Sequence, residues 1–293
     1  MEPIFQDGEF LKKLEYLAYL SKRIRKGSLR GEHLMYKKGA SLEFRDHRAY
    51  NKGDDFRYID WNVYSRLKKI FVKLFAAEED LTIHILVDSS ASMGGNGEEK
   101  LVYAKKLAAA LGYIGLSNLE HVGLVSFGGA INSALPPIRR KNQSFGMFDF
   151  LSGIKAAGGT DLNKVLFEYS ARKGRPGLVI VLSDFMDPRG TKDGILSLLY
   201  NKYDIILLHI LSENEINPDL NGNLKIVDSE TGKAVIMTVD KRTREIYRRQ
   251  LAYYLKEMED FSLKHGLEYM RVSVSIPFDE VILKYLRQGM YLH

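Results

Sequence analysis

Two rhythms of apolar and polar residues run along the chain. Between Asp7 and Lys26, Phe10, Leu11, Leu14, Leu17, Ala18 and Ile24 fall near helical spacing, with Lys12, Lys13, Lys22 and Arg23 outside that stripe. This predicts an amphipathic helix with Asp7 as its N-cap. Residues 39–79 read differently. Leu42 and Phe44 stand two apart within Ser41–Tyr50, and Asn51-Lys52-Gly53-Asp54-Asp55 is a turn cluster. Val63–Leu67 and Ile70–Phe75 are two further strand candidates, joined by Lys68-Lys69. Alternation bounded by turn residues predicts a small β-rich subdomain here.

From Leu81 onward, strand-length apolar runs alternate with helical periods. Leu81–Val87, Val122–Phe127, Gly177–Leu182, Asp204–Leu211 and Leu267–Ser273 are the strands. Glu99–Asn118, Asp161–Arg172, Thr191–Lys202 and Pro277–Gln288 are the helices. Alternation of this kind predicts an α/β fold, a doubly wound and mostly parallel sheet with helices on both faces. One piece interrupts it. Asn223–Val227 and Ala234–Val239 flank Ser229-Glu230-Thr231-Gly232, a hairpin signal, and a long helix Lys241–His265 follows behind Asp240. The expected division is therefore 1–79, a helix plus the β-rich part, and 80–293, with a hairpin insertion at about 222–240.

Composition narrows the function. The chain has 293 residues and no cysteine, which excludes a disulfide scaffold, a thiolate zinc site and a cysteine nucleophile. No apolar run reaches the roughly 20 residues of a membrane helix. The N-terminus lacks the pattern of a signal peptide, so a cytoplasmic protein is expected. The net charge of +6 is concentrated at the front, where residues 1–75 carry 17 Lys/Arg against 10 Asp/Glu. Arg23, Arg25, Lys26, Arg30, Lys37 and Lys38, with Tyr36 and Tyr50, would suit RNA or a single strand. A solvated basic surface gives the same letters and is the preferred reading.

The candidate chemistry follows the first strand of the alternating part. Asp88-Ser89-Ser90-Ala91-Ser92 is D-x-S-x-S at the carboxyl end of a buried strand. A Ser/Asp-rich turn that caps a helix would look the same. Two later segments add oxygen at the same rim. Gly158-Gly159-Thr160-Asp161 supplies a third hydroxyl, and Ser183-Asp184 ends another strand. Sheets of this type bind ligands beyond the carboxyl ends of their strands. Oxygen donors of low total charge suit Mg²⁺, which keeps several waters.

The set Asp88, Ser90, Ser92, Thr160 and Asp184 resembles the metal-ion-dependent adhesion site of von Willebrand factor A domains. Upstream, Gly53-Asp54-Asp55-Phe56-Arg57-Tyr58-Ile59-Asp60-Trp61 resembles the signature of domain-of-unknown-function family 58. Ser41-Leu42-Glu43-Phe44-Arg45, Arg48, Tyr50, Val227–Gly232 and Pro277-Phe278 resemble it too. The resemblance implies a Mg²⁺-dependent protein-interaction module, with Mn²⁺ as a substitute. Ser90, Ser92 and Thr160 would be inner ligands, and Asp88 and Asp184 would orient waters. A partner's Asp or Glu would fill the open position. It also implies work with a MoxR-type AAA+ ATPase in assembling or activating client proteins. Many members carry N-terminal membrane helices; none is read here, so membrane anchoring is not expected.

Other readings compete. A dehalogenase-type phosphatase needs Asp-x-Asp, and position 90 is Ser. No P-loop, H-E-x-x-H or G-x-S-x-G is present. An enzyme is not expected, although a metal-dependent hydrolase on the same Asp/Ser cluster is the alternative. Asp54, Asp55 and Arg57 are candidate partner contacts. The structural alternative pairs Arg57 with a carboxylate and packs Trp61 between subdomains.

Overall fold

The computed structural model describes residues 3–28, 42–51, 54–77, 81–172, 174 and 176–287, with side chains left undescribed at 3–4, 24–28, 42–46, 74–77 and 96–97. The candidates Arg30, Tyr36, Lys37, Lys38, Ser41 and Gly53 lie outside the described residues, and the side chains of Arg25 and Lys26 are likewise undescribed. The chain forms two compact units, 1–26 with 81–293, and 27–80.

The first unit opens with α1 (Pro3–Gln6) and α2 (Gly8–Ser28). Asp7 caps α2 by accepting the Glu9 amide at 2.9 Å. The predicted apolar stripe is real. Phe10, Leu14, Leu17 and Ala18 are buried in the same core as the central sheet. The helix therefore joins the α/β unit, not the 27–80 part it was expected to accompany. Phe5 stacks on Phe148 with ring centroids 5.5 Å apart, which ties down the start of the chain.

The 27–80 unit pairs β1 (Leu42–Ala49) antiparallel with β2 (Phe71–Ala77), around α3 (Trp61–Leu67). Val63–Leu67, expected as a strand, is thus part of a helix. Asp60 decides it: its Oδ1 accepts the amides of Asn62 at 2.9 Å and Val63 at 3.2 Å. An N-cap of that kind outweighs the strand preference of Val63 and Tyr64. Trp61, expected in a packed position, is 62% exposed.

The remaining elements are β3 (Thr82–Asp88), α4 (Gly95–Ser117), β4 (His121–Phe127), β5 (Ile131–Ile138), α5 (Ser144–Gly153), α6 (Leu162–Ser170) and β6 (Leu178–Ser183). Then come α7 (Lys192–Tyr200), β7 (Asp204–Leu211), α8 (Glu213–Ile216), β8 (Gly222–Val227), β9 (Ala234–Val239), α9 (Lys241–His265), β10 (Glu268–Ser273) and α10 (Phe278–Arg287). Six strands make one sheet in the order β10-β7-β6-β3-β4-β5. All pairs are parallel except β4 with the edge strand β5.

Alternation along each strand builds a core on both faces. Ile83, Ile85 and Val87 enter one cluster with α4, while Leu86 enters the other with α6 and α7. Ile180 and Leu182 divide from Val179 and Val181 in the same way. This is the doubly wound α/β architecture the alternation predicts. β8 and β9 form a separate two-stranded hairpin. No helix among the described residues is long and apolar enough to cross a membrane.

The chain runs from β3 through β4 to β5 on one side of the sheet, then crosses back to β6 on the other. The β3–β6 junction is therefore the topological switch point, and its carboxyl end opens a crevice.

Candidate functional site

Asp88 is the last residue of β3, and Ser183 the last of the adjacent β6. Their side chains meet: Ser183 Oγ donates to Asp88 Oδ2 at 2.5 Å. Asp88 Oδ1 accepts the Ser90 amide at 2.9 Å, which bends the chain back over the carboxylate. Ser89 turns away, its hydroxyl donating to the Phe127 carbonyl of β4 at 2.8 Å. Ser90 and Ser92 then bring their hydroxyls to 3.0 Å from each other.

The 157–160 loop is stitched to this turn by backbone. Ala91 N donates to Gly158 O, and Ala157 N to Ser89 O, both at 2.9 Å. Gly158 has φ 75, the left-handed region where a Cβ is disfavoured. Gly94 lets the two loops touch, because a Cβ there would lie 2.5 Å from Ala156 Cβ. Asp161 caps α6 by accepting the Lys164 amide at 3.0 Å, and this fixes Thr160 just ahead of the helix. Asp88, Ser90, Thr160 and Asp184 are all buried, and Ser92 is partly open.

All five residues stand at the carboxyl edge of the sheet, but they do not all answer to one another. Asp184 Oδ1 accepts from the Met186 amide at 3.1 Å, and its Oδ2 accepts from Lys100 Nζ at 2.7 Å. Lys100 also reaches Glu215 Oε1 at 2.5 Å. Thr160 Oγ1 donates to Glu230 Oε1 at 2.6 Å, and its amide donates to Glu230 Oε2 at 3.0 Å. Phe185, directly after Asp184, is held at φ 52, a strained conformation for a bulky residue.

Electrostatics separates the two aspartates. Burial, and then the nearby Asp184 charge, push the Asp88 carboxyl up to about 7, against the hydrogen bonds from Ser183 and Ser90. Among the described residues Asp88 makes no ion pair. Asp184 is ion-paired with Lys100. Burial lowers the Lys100 ammonium, but Asp184 and Glu215 outweigh it, and the net shift is upward from an ordinary lysine. His209 lies beside Ser183 in the register of β6 and β7, and its Nδ1 is 2.8 Å from Tyr269 Oη. Burial holds it down to about 4, with Asp184 pulling the other way, so the imidazole is neutral at pH 7.

The partner-contact candidates belong to the 27–80 unit. Arg48 pairs with Asp54 at 2.9 Å. Arg57 folds onto Asp55, with NH2 2.7 Å from Oδ2, and remains 82% exposed in its side chain. The guanidinium is raised above its usual range by its hydrogen bond to Asp55.

The sequence profile described as "Protein of unknown function DUF58" matches residues 46–256. The chain belongs to the DUF58 family. It is 25% identical over 252 residues to the uncharacterized protein Rv1480 of Mycobacterium tuberculosis, covering 84% of this chain and 79% of that protein. The uncharacterized protein Mb1516 of Mycobacterium bovis matches to the same extent. Among solved structures it is similar to BatB from Bacteroides thetaiotaomicron, with 13% identity, TM-score 0.44, and 72% of this chain and 98% of that chain covered. It is also similar to an aerotolerance-related membrane protein from Bacteroides fragilis, with 17% identity, TM-score 0.43, and 71% and 99% covered. The von Willebrand factor domain of the pilus tip protein Mfa5 from Porphyromonas gingivalis matches with 13% identity, TM-score 0.31, and 72% and 96% covered.

Ser183, Lys100, Glu215 and Glu230 complete the site of this DUF58 chain, and the partner roles of the last three escape sequence reasoning. Ser183 stood next to Asp184 and was legible as a strand-end hydroxyl. The other three act across 84, 115 and 70 residues of chain, and no local pattern announces such partners.

Proposed function

We propose that the crevice at the end of β3 holds a divalent cation, and that the protein uses it to bind an acidic side chain of a protein partner. The observation that carries this reading is the 3.0 Å contact between the Ser90 and Ser92 hydroxyls above a buried, ion-unpaired Asp88. Two hydroxyls and one carboxylate at one turn form an oxygen site for a hard cation such as Mg²⁺, or Mn²⁺ in its place. Among the described residues no three His, Cys, Asp or Glu cluster to hold a metal. An ion would therefore rely on hydroxyl donors, which leave its charge largely uncompensated and attractive to an incoming carboxylate.

In this reading Ser90, Ser92 and Thr160 hold the ion and Asp88 balances its charge. Asp184 is already spent on Lys100, so it acts by positioning the turn and does not serve as a ligand. The bound ion supplies Lewis acidity toward a carboxylate, and the chain supplies the buried rim that orients it. The protein is then an adaptor and not an enzyme. The family resemblance adds a MoxR-type AAA+ ATPase as the candidate partner, in the cytoplasm.

Calorimetric titration of Mg²⁺ into the wild type and into Ser90→Ala/Ser92→Ala tests the ion site. Heat in the first and none in the second, with unchanged circular dichroism, is expected. Equal heats would remove the site. Co-purification with the ATPase, lost in EDTA, is the expected sign of the partner.

A further inference from the structure

The β8–β9 hairpin meets this site through one side chain. Its turn is built to hold Glu230 in place. Asp228 Oδ1 accepts the amides of Glu230 at 3.0 Å and Thr231 at 2.7 Å, and Gly232 N donates to Asp228 O at 2.9 Å. From that turn the Glu230 carboxylate grips both the hydroxyl and the amide of Thr160, while Thr160 itself is 2% exposed. Gly159 leaves the room: a Cβ there would come to 3.3 Å from Glu230 Oε2. The flanks of the hairpin add little. Ile226, Val227, Val235 and Ile236 are exposed, Ile236 by 80%. With so little apolar area buried near the tip, the carboxylate is what fastens it.

We infer that Glu230 is an internal acidic ligand of the site, taking within the chain the place that a partner's Asp or Glu would take. The inference rests on the cation reading above and names what regulates that site. Thr160 is one of the proposed inner donors, so a carboxylate bonded to its hydroxyl stands next to the ion. The local charge agrees. Lys100 is shared between Asp184 and Glu215, so no described ammonium or guanidinium is paired with Asp88, and none is paired with Glu230. A divalent cation between them would relieve that deficit.

The consequence is competition. A tethered carboxylate acts at an effective concentration of order mM for a short connection. A lone acetate or glutamate therefore cannot displace it usefully. A partner must bring further contacts, or must hold the hairpin away.

Hydrogen exchange of the full chain, with Mg²⁺ alone as the probe, tests this in wild type and Glu230→Gln. Glutamine keeps an oxygen that can accept from Thr160 but loses the charge. In the wild type, Mg²⁺ is expected to slow exchange at 88–92, 157–160 and 228–232. In Glu230→Gln the first two segments keep that protection and 228–232 loses it, while β6 exchanges as before. If Mg²⁺ protects 88–92 and 157–160 but leaves 228–232 unchanged in the wild type, the role of Glu230 is overturned and the cation reading stands. Equal Mg²⁺ protection of 228–232 in both proteins also overturns it. If Mg²⁺ protects none of the three segments, both readings fall.

Discussion

Lys100 donates to Asp184 at 2.7 Å, with the lysine side chain 5% exposed and the aspartate 2%. The ammonium grows from the first turns of α4, just after the D-x-S-x-S turn, and reaches the end of β6. It thus ties α4 to the end of β6, beside the Ser183–Asp88 contact that joins the two strand ends.

Removing one partner of a buried pair leaves the other charged and desolvated. Lys100→Met should therefore destabilise the α/β unit by about 3–5 kcal/mol. Urea unfolding checks it. A loss under about 1 kcal/mol would mean the pair is solvated as a surface bridge is.

The N-terminal helix offers a second test. Leu17 is fully buried against the sheet core. Leu17→Ala should cost about 2–5 kcal/mol in the main unfolding transition, as large-to-small core changes do. If α2 packed with the 27–80 unit instead, that transition would not move.

The acid limb reports on the other unit. His47 Nε2 lies 2.9 Å from Asp60 Oδ2 and holds the Asp60 carboxyl down to about 2, helped by the amides of Val63 and Asn62 and by Lys73. An unfolded aspartate titrates near about 3.9. A depressed folded value means stability that is complete above about pH 4 and is lost as the pH falls towards 2. Fluorescence of Trp61, the one tryptophan, sits at the start of α3 and should show this acid transition. Asp60→Asn should flatten the dependence over that window. An identical profile in the variant would assign the transition to another group.

Much of this fold can be read from the chain. Gly177–Leu182 is a buried run without alternation, as a central parallel strand requires, and it becomes β6. The hairpin around Ser229–Gly232 and the helix behind Asp240 also form where the turn and cap residues place them. The misses have local causes. β5 carries Pro136 and Pro137, which cannot donate to a ladder and hide a strand, yet are accommodated at a sheet edge. Val63–Leu67 has the letters of a strand, but Asp60 caps it into a helix. At the site, Asp88 and Asp184 follow from the ends of β3 and β6, while Thr160 lies in the loop between α5 and α6. Their true partners, Lys100 and Glu230, depend on how β6 and the hairpin return to that edge, which is tertiary information.

The central claim is that the hydroxyls of Ser90, Ser92 and Thr160 share one cation with Asp88 beneath them. Anomalous diffraction from crystals soaked in Mn²⁺ measures this directly. A single strong peak bonded to the two serine oxygens is predicted, and it should vanish in Asp88→Ala. A featureless map at the end of β3, or a peak bonded to none of these oxygens, would contradict it.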